Sequence, residues 1–339
     1  MDAINDNHCS PIVSSRIRLA RNIANRNFPM MLSATESEAI IEEIIKIFIE
    51  DSSLHKNFDV NILKELDMLK LQELVENHLM SPNLFDNALK GALIVSKDKR
   101  ISIMINEEDH IRIQSIEKGF QLDEAFKAAN DIDDVLEERL GYAFDEKLGF
   151  LTSCVTNVGT GLRASAMLHL PALRVIGELN KIIQMLSKIG FTVRGTYGEG
   201  SEALGNMFQI SNQVTLGVSE QEIIKAVTNI VNQLVEKEKK ARAVLLEKDR
   251  VLVEDKIYRS FGILKNARLL SYKESMMLLS DVILGAHMGI LTEVNKETLY
   301  HTINCIQPAS LQLKYDEKMN DRERDVKRAE LIKQLITNN

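Results

Sequence analysis

A chain of 339 residues, 45% hydrophobic and 27% charged, has the length of about two domains and apolar content enough for a sizeable core. Its formal net charge of −7 argues against wholesale binding to nucleic acid or an anionic membrane and leaves room for a local basic pocket. Three cysteines, Cys9, Cys154 and Cys305, are too few for a disulfide framework and fit a reducing compartment. No apolar run reaches the roughly 18 residues of a membrane span, and the opening MDAINDNHCSP lacks the basic and apolar stretches of a secretion signal. The expectation is a cytoplasmic protein.

In chain order, SSRIRLARN (14 to 22) reads as an extended segment, where side chains two apart point the same way, so Arg16 and Arg18 share a face. GALIVS (91 to 96) and ISIMIN (101 to 106) are short β-type runs joined by the charged turn from Lys97 to Arg100, which predicts a hairpin. GFLTSCVTNV (149 to 158), FTVRGTY (191 to 197) and MFQISNQVTLG (207 to 217) read as further strands. PALRVIGELNKIIQMLSKIG (171 to 190) reads as one amphipathic helix. Pro171 suits its first turn and Gly190 its C-terminal cap, and Val175, Ile176, Leu179, Ile182, Ile183 and Leu186 form its apolar face. The whole predicts an α+β domain, its largely antiparallel sheet flanked by helices. After Ser219 the pattern turns helical, and from about 250 onward it shows helices only, rich in Leu, Met and Lys. We place a mixed domain over 1–245 and an all-helical domain over 246–339.

CVTNVGTGLRAS (154 to 165) contains Gly159-Thr-Gly161-Leu-Arg-Ala164, which fits G-x-G-x-x-A. A dinucleotide-binding reading needs a strand before the glycines, a helix after them and an acidic residue about 20 positions on. Strand and helix are expected here; the acidic candidate, Glu178, falls inside the predicted helix and fails the third condition. A cysteine-nucleophile reading needs a His and an Asn or Asp close in space, and a tight turn with a buried thiol needs nothing more. A Walker-type loop is absent.

Three other segments bear on the choice. SSRIRLARN carries Arg16 and Arg18, NEEDHIRI (106 to 113) packs three acids, a His and Arg112 after an apolar strand, and RGTYGEGSE (194 to 202) puts Arg194 before a glycine-rich loop with Glu199. Each alone suits a solvated charged face. Together, Arg16, Arg18, Arg112, Arg163 and Arg194 would make a cage for a polyphosphate, since the guanidinium fork binds phosphate bidentately and stays charged.

At these residues the sequence resembles a known family. CVTNVGT is similar to the C-P-[ST]-N-[ILV]-G-T signature of the guanidino (phosphagen) kinases, and SSRIRLAR, NEEDHIRI and RGTYGE resemble three further blocks of that family, in order, over residues 14 to about 217. The resemblance implies a glutamine-synthetase-like catalytic domain over 1–245. Within the family it is closest to the branch that phosphorylates arginine side chains of proteins. The small-molecule members carry a helical lid domain of roughly 90 residues, a normal small-domain size, before the SSRIR-type segment. Here 13 residues precede Ser14, so the expectation is an open site suited to an arginine on a protein surface. Val155 departs from the signature proline, a change that loosens the loop around Cys154 and removes no charged group.

The resemblance also implies the roles. ATP, with Mg²⁺ held through it rather than by a protein metal site, would be bound by Ser14, Ser15, Arg16, Ile17 and Arg18, by Arg112, by Arg163, Ala164, Ser165, Ala166 and Met167, and by Arg194, Gly195, Thr196, Tyr197 and Gly198. His78 would lie beside the base or ribose. A guanidinium with pKa above about 12 is a poor nucleophile and has to be oriented and deprotonated, tasks that suit carboxylates. Glu108 and Glu199 match the two guanidinium-binding glutamates, with Glu108 the candidate base and Glu199 the second clamp. Cys154 matches the reactive cysteine, and Asn157 shapes its loop. His110 reads as a structural partner for a carboxylate, and His169 as a core histidine.

In the helical region, RDVKRA (324 to 329) resembles the R-D-x-x-R-A element with which protein-directed members hold phosphoarginine; Arg324, Asp325, Arg328 and Ala329 are the candidates, against a solvated basic face as the plain alternative. The Leu- and Met-rich stretch from 260 to 290 suits either a homodimer interface or a core. The family further implies a stress-response setting: a heat-shock repressor and misfolded proteins as clients, a zinc-binding activator protein, and a Clp ATPase downstream. Two other readings stand beside this one: a small-molecule guanidino kinase acting on free arginine, and a phosphoarginine-binding adaptor with a weak catalytic site.

Overall fold

A computed structural model describes residues 10–195 and 203–337. Ten strands follow one another in the chain: β1 (Ile12–Arg21), β2 (Phe58–Ile62), β3 (Ala92–Ser96), β4 (Ile101–Ile105) and β5 (Ile111–Lys118), then β6 (Phe144–Asp145), β7 (Gly149–Phe150), β8 (Leu162–His169), β9 (Phe191–Arg194) and β10 (Met207–Asn212). Eight of them form one sheet in the order β2-β3-β4-β5-β1-β8-β10-β9, and β6 and β7 make a separate hairpin. The pairings β1 with β5, β2 with β3, β3 with β4 and β4 with β5 are all antiparallel. The helices are α1 (Ala34–Glu50), α2 (Ser52–Asn57), α3 (Met68–Glu76), α4 (Pro82–Asp86), α5 (Leu122–Leu140), α6 (Pro171–Val175), α7 (Leu179–Lys188) and α8 (Glu220–Asn266), followed by α9 (Tyr272–His287), α10 (Lys296–Cys305), α11 (Pro308–Tyr315) and α12 (Asp321–Thr337). The expected α+β fold, its large antiparallel sheet flanked by helices and followed by a helical region, is the fold observed.

The chain divides into two compact units. One comprises residues 14–166 and 211–228. In it, the register of β1 on β5 pairs Leu19 with Ile113 and Ile17 with Ser115 on one face, and Arg18 with Gln114 and Ala20 with Arg112 on the other. Strand alternation separates the two sets completely. Ile17, Leu19, Ile111 and Ile113 are fully buried on the first face. Arg21 shares that face and is locked to Asp133 of α5 by an ion pair of 2.7 Å. A capping box at Ser33 and Glu36 starts α1, satisfying two helix-end donors at once. The opposite face turns apolar towards its edge, where Leu93 pairs with Met104 and joins Leu71, Leu74, Leu79 and Leu84 in a cluster roofed by α3 and α4.

The second unit comprises the chain up to Val13, residues 167–210 and residues 229–339. Its core gathers Phe261 and Leu264 of α8, Leu279, Val282 and Ile283 of α9, Leu299 of α10, Leu311 of α11 and Ile332 of α12. Most of the apolar residues between 260 and 290 are thus internal to this unit. Among the described residues, no helix is long and apolar enough to cross a membrane.

Four predicted elements are corrected. The strand expected over 149 to 158 is real only at β7; residues 151–158 are turns and bends. Their polar groups are satisfied locally and by Thr215, whose Oγ1 donates to the carbonyls of Thr156 and Val158 at 3.0 and 2.7 Å, so no ladder forms. The segment after the glycines is strand β8, not a helix, which removes the second condition of the dinucleotide reading. Gly159 (φ 114°) and Gly161 (φ 62°) make the bend into it, and a Cβ would stand 2.2 Å from the Thr215 carbonyl oxygen at the first and 2.6 Å from that of Ala20 at the second. The helix expected over 171 to 190 is broken into α6 and α7 at Gly177 (φ 78°), which leaves Val175 exposed while Leu179, Ile182 and Leu186 stay buried. The strand read to residue 217 ends at Asn212.

Candidate active site: an arginine face beside a braced carboxylate loop

The first unit brings together Arg16, Arg18, Arg112 and Arg163. Arg16 and Arg18 alternate on β1, Arg112 lies on β5 and Arg163 on β8, the strands on either side of β1. Arg163 is held by Ser211, whose Oγ accepts from its Nε at 3.2 Å and from a terminal nitrogen at 3.1 Å. Burial, and then the like charges of Arg112 and Arg163, lower the Arg16 guanidinium to about 10, with Glu107 opposing them. Burial also pulls Arg18 down, helped by Arg16, Arg112 and Arg163. The buried Nε atoms of Arg16 and Arg18 have no hydrogen-bond partner. Gathered guanidinium groups with unmatched donors are complementary to a polyanion and to little else.

His78 joins this face. It follows α3 in the left-handed conformation (φ 58°), and its carbonyl accepts from Gln114 Nε2 at 2.6 Å, Gln114 being the cross-strand partner of Arg18. Burial, and then the charge of Arg16, holds its ring down at about 4, so the imidazole is neutral at pH 7. A neutral, flat ring beside cations suits a nucleoside better than a phosphate.

The loop Asn106–His110 joins β4 to β5 and leads into Arg112. Asn106, itself left-handed, donates from Nδ2 to the carbonyls of Ser37 and Lys90 at 3.0 and 3.3 Å. Glu107 is buried; its carboxylate accepts from Ser81 Oγ at 2.6 Å, from the Glu108 amide at 3.0 Å and from Arg112 at 2.6 Å. Asp109 Oδ1 accepts from Asn22 Nδ2 and from the Ser153 amide, both at 2.7 Å. His110 Nδ1 accepts the Ile23 amide at 3.1 Å and Nε2 donates to the Asn27 carbonyl at 2.8 Å. That fixes the Nε2–H tautomer and corrects the expectation of a carboxylate partner, since both ring nitrogens meet backbone. Glu108 alone is left half-open, with its side chain 33% exposed and one oxygen 2.8 Å from Arg112. The loop therefore spends four side chains on its own geometry and presents the fifth.

Cys154 sits next to Ser153, in the loop that Asp109 holds. Its Sγ lies 3.0 Å from Thr156 Oγ1, and its carbonyl accepts from Thr152 Oγ1 at 2.8 Å and from the Asn157 amide at 2.9 Å. Asn157 thus closes the turn through its backbone. Val155 points into solvent.

The other predicted site residues fall as follows. Ser15 and Ile17 lie on the face of β1 opposite Arg16 and Arg18; Ser15 Oγ donates to Gly119 O at 2.9 Å and accepts from the Gln121 amide at 2.8 Å, bracing the turn into α5. Ser14 shares the parity of Arg16 at the start of the strand. The Ala164 amide is taken by Asn212 Oδ1 at 2.8 Å, and Ser165 Oγ donates to Arg16 O at 3.4 Å, so these positions fasten β8. Ala166 is buried, and Met167 packs on the core of the second unit. Arg194 and Gly195 belong to the second unit, Arg194 at the end of β9. Thr196, Tyr197, Gly198 and Glu199 lie outside the described residues.

In α12, Arg328 is buried: Nε donates to Ile306 O and a terminal nitrogen to Leu270 O, each at 2.9 Å, and it pairs with Asp325 at 2.5 Å. Arg324 donates to Met319 O at 2.7 Å and pairs with Asp321. Ala329 is buried beside Arg328. The solvated basic face fails for Arg328, which shares the inward stripe with Leu331, Ile332 and Ile336.

Sequence reasoning missed Asn22, Ser81, Asp109 and Gln114, and set Glu107 aside. The only sequence signal for them was their place in or next to a charged block.

Residues 39–241 match the model of the ATP:guanido phosphotransferase C-terminal catalytic domain, and residues 250–339 match that of the protein-arginine kinase McsB C-terminal domain. The chain belongs to the ATP:guanido phosphotransferase family. A protein-arginine kinase of Clostridium tetani is 47% identical over 327 residues, covering 96% of this chain and 95% of its own. One of Caldanaerobacter subterraneus is 48% identical over 322 residues, covering 95% of each. Among solved structures, a lombricine kinase superposes with a TM-score of 0.60 at 24% identity, over 71% of this chain and 68% of its own. A duplicated taurocyamine kinase from Schistosoma mansoni gives 0.61 at 24% identity, over 95% of this chain and 42% of its own. These two likenesses concern the fold.

Proposed function

We propose that this family member is an ATP-dependent protein-arginine kinase that phosphorylates the guanidino group of arginine side chains in proteins. The observation that carries the reading is the junction of two sites in one unit: guanidinium groups with unmatched buried donors, and beside them a single half-open carboxylate on a braced loop. The full-length likeness to protein-arginine kinases supports a protein acceptor.

Arg16, Arg18, Arg112 and Arg163 would bind and align the triphosphate of ATP and offset the charge that develops during transfer. Arg194 is proposed as the fifth member. His78 would flank the nucleoside. Magnesium, carried by the nucleotide, would supply further charge neutralisation. Glu108 would orient the target guanidinium through a charge-assisted fork and accept the proton released as the N–P bond forms and the O–P bond to ADP breaks. Glu199 is proposed as the second clamp. Cys154 would touch the acceptor as a thiol or thiolate that shapes its charge and forms no bond to phosphorus.

The split at residues 245 and 246 into catalytic and helical domains remains our reading, supported by the separate family matches on either side of it. Phosphoarginine binding at Arg324, Asp325, Arg328 and Ala329 would require a ligand to exchange for the bonds that Arg328 now makes. The sparse cysteines support a cytoplasmic setting and the Leu- and Met-rich stretch a homodimer, while the zinc-binding activator, the repressor and misfolded clients and the Clp ATPase rest on family resemblance alone.

The test is incubation with Mg-ATP and either a folded protein or free arginine, with detection of acid-labile phosphate on each. Labelling of protein arginine is expected. Labelling of free arginine alone would replace this reading with a small-molecule guanidino kinase, and no labelling with retained phosphoarginine binding would replace it with an adaptor.

A further inference from the structure

Helix α3 closes on two backward hydrogen bonds, from the His78 amide to Val75 O at 2.9 Å and from the Leu79 amide to Leu74 O at 3.0 Å. Such a turn sets the residue after the helix cap in the left-handed conformation, a place usually given to glycine because a Cβ crowds the backbone there. His78 takes it, at φ 58°. Leu74 and Leu79 both belong to the apolar cluster under α3 and α4, together with Leu93 and Met104 of the sheet, so the turn is anchored on the strands below it.

The His78 carbonyl lies beyond the helix ladder. It accepts from Gln114 Nε2 at 2.6 Å, and the same nitrogen donates to Ser102 Oγ at 3.0 Å. Gln114 stands on β5, opposite Arg18 of β1 and opposite Ser102 of β4 in the two ladders. It is two residues from Arg112 on the same strand, so the two share a face. Gln114 is buried, and its Oε1 has no hydrogen-bond partner. A methionine of similar length would fill the position without stranding an acceptor, as Met104 does on the same face.

Two features that cost stability, a left-handed histidine and a buried amide with a stranded oxygen, therefore meet at one hydrogen bond. Costs of this kind collect where the position of a group matters more than its contribution to stability. The group in question is the imidazole. His78 is half-buried, which leaves ring surface for a ligand, and the ring feels the charge of Arg16. One amide thus ties the residue that carries this ring to the strand that carries Arg112.

Resting on the reading of the arginine face as a nucleotide site, we propose that Gln114 is a positioning residue for the nucleoside of ATP: through the His78 carbonyl it fixes the imidazole relative to the guanidinium groups that take the phosphates.

The test measures by titration calorimetry the affinity of the full chain for Mg-ATP and for Mg-tripolyphosphate, which keeps the phosphates and lacks the nucleoside. Gln114→Met is expected to weaken Mg-ATP by about tenfold and Mg-tripolyphosphate by less than about twofold. His78→Ala should also weaken Mg-ATP selectively, and the double variant should be no weaker than His78→Ala alone, because Gln114 acts through His78. Should Gln114→Met not fold, Gln114→Asn, which keeps the amide and falls short of the His78 carbonyl, carries the same expectations. Equal weakening of both ligands, losses that add in the double variant, or an unchanged affinity for Mg-ATP each overturn the proposal. A parent protein that prefers Mg-ATP to Mg-tripolyphosphate but transfers no phosphate to protein arginine would remove the kinase reading and leave Gln114 to be judged by the same affinities. A parent protein that binds neither ligand overturns both.

Discussion

One oxygen of Asp109 accepts both the side-chain amide of Asn22 and the backbone amide of Ser153, each at 2.7 Å. That atom couples the end of β1, the glutamate loop and the cysteine loop, so the spacing of Glu108 from Cys154 depends on it. Asp109→Ala should lower kcat on the order of 10- to 100-fold by misplacing the acceptor, while KM for Mg-ATP stays within about twofold because the arginine face is untouched. Asp109→Asn retains an acceptor oxygen and should recover most of the loss. Steady-state kinetics on the two variants checks this; an Asn variant as poor as Ala would show that charge, not position, is the contribution.

Adjacent glutamates should fail in different ways. Glu108→Gln is expected to reduce transfer by 10²- to 10⁴-fold, the usual scale for a lost general base, with little change in melting temperature. Glu107→Gln weakens a buried ion pair to Arg112 and should destabilise the fold by up to about 3–5 kcal/mol. Parallel measurement of kcat and thermal unfolding separates them, and full activity in Glu108→Gln would remove that residue from the mechanism.

Clustered guanidiniums without an anion repel one another, so the arginine face is built at the expense of the free protein's stability. Arg16→Met relieves both the burial of the charge and its repulsion by Arg112 and Arg163. The variant should melt at a higher temperature than the parent without nucleotide, and its melting temperature should respond less to added Mg-ATP. Thermal unfolding across a nucleotide series measures both effects.

His169 and His287 lie in the core of the second unit with ring centroids 6.3 Å apart. His169 Nε2 meets Ser280 Oγ at 2.8 Å, so His169 is a core histidine as expected, though its Nδ1 has no hydrogen-bond partner. Burial, then His287 and Arg242, lowers the first ring; burial, then Arg242 and Lys296, holds the second at about 3. Both folded values lie below the unfolded one near 6.5, so the unfolded chain takes up protons first. Stability is therefore full above about pH 6.5 and falls as the pH drops from there towards 3, by about 1.4 kcal/mol per pH unit for each imidazole. Denaturant unfolding between pH 7.5 and 5.5 should show this decline, and His287→Gln should flatten it.

Arg328→Ala is expected to destabilise the protein by about 2–4 kcal/mol, since it empties a buried site and strands the carbonyls of Ile306 and Leu270, whereas Arg324→Ala should have a smaller effect. A charge-reversed Arg328 variant that stays folded and still binds phosphoarginine normally would remove Arg328 from the phosphoarginine proposal.

The sequence by itself determined what depends on local period and local chemistry. The two-residue alternation of SSRIRLARN put Arg16 and Arg18 on one face; that Arg21 lies on the other and pairs with Asp133 came from the structure. Apolar runs either side of a charged turn specified the β3–β4 hairpin, and the loss of strand pattern after Ser219 marked the helical end. The order of the arginine, acid and cysteine blocks was enough to place the chain in its family.

Only the tertiary structure decided how those blocks work. Asn22 and Asp109 are 87 residues apart, and Asp109 and Ser153 are 44 apart, so nothing local announces that they meet. The cysteine segment has strand-forming residues but no neighbouring ladder, and hydrogen bonds from Thr215 hold it as a loop. Glu107 and Glu108 are identical in type and adjacent; Ser81 and Arg112 claim the first and leave the second half-open. Arg328 sits in a charged stretch, yet backbone carbonyls from two distant segments draw it into the core. In each case the reason is the same: the state of a polar side chain is set by the partners that folding delivers, and those partners are remote in the chain.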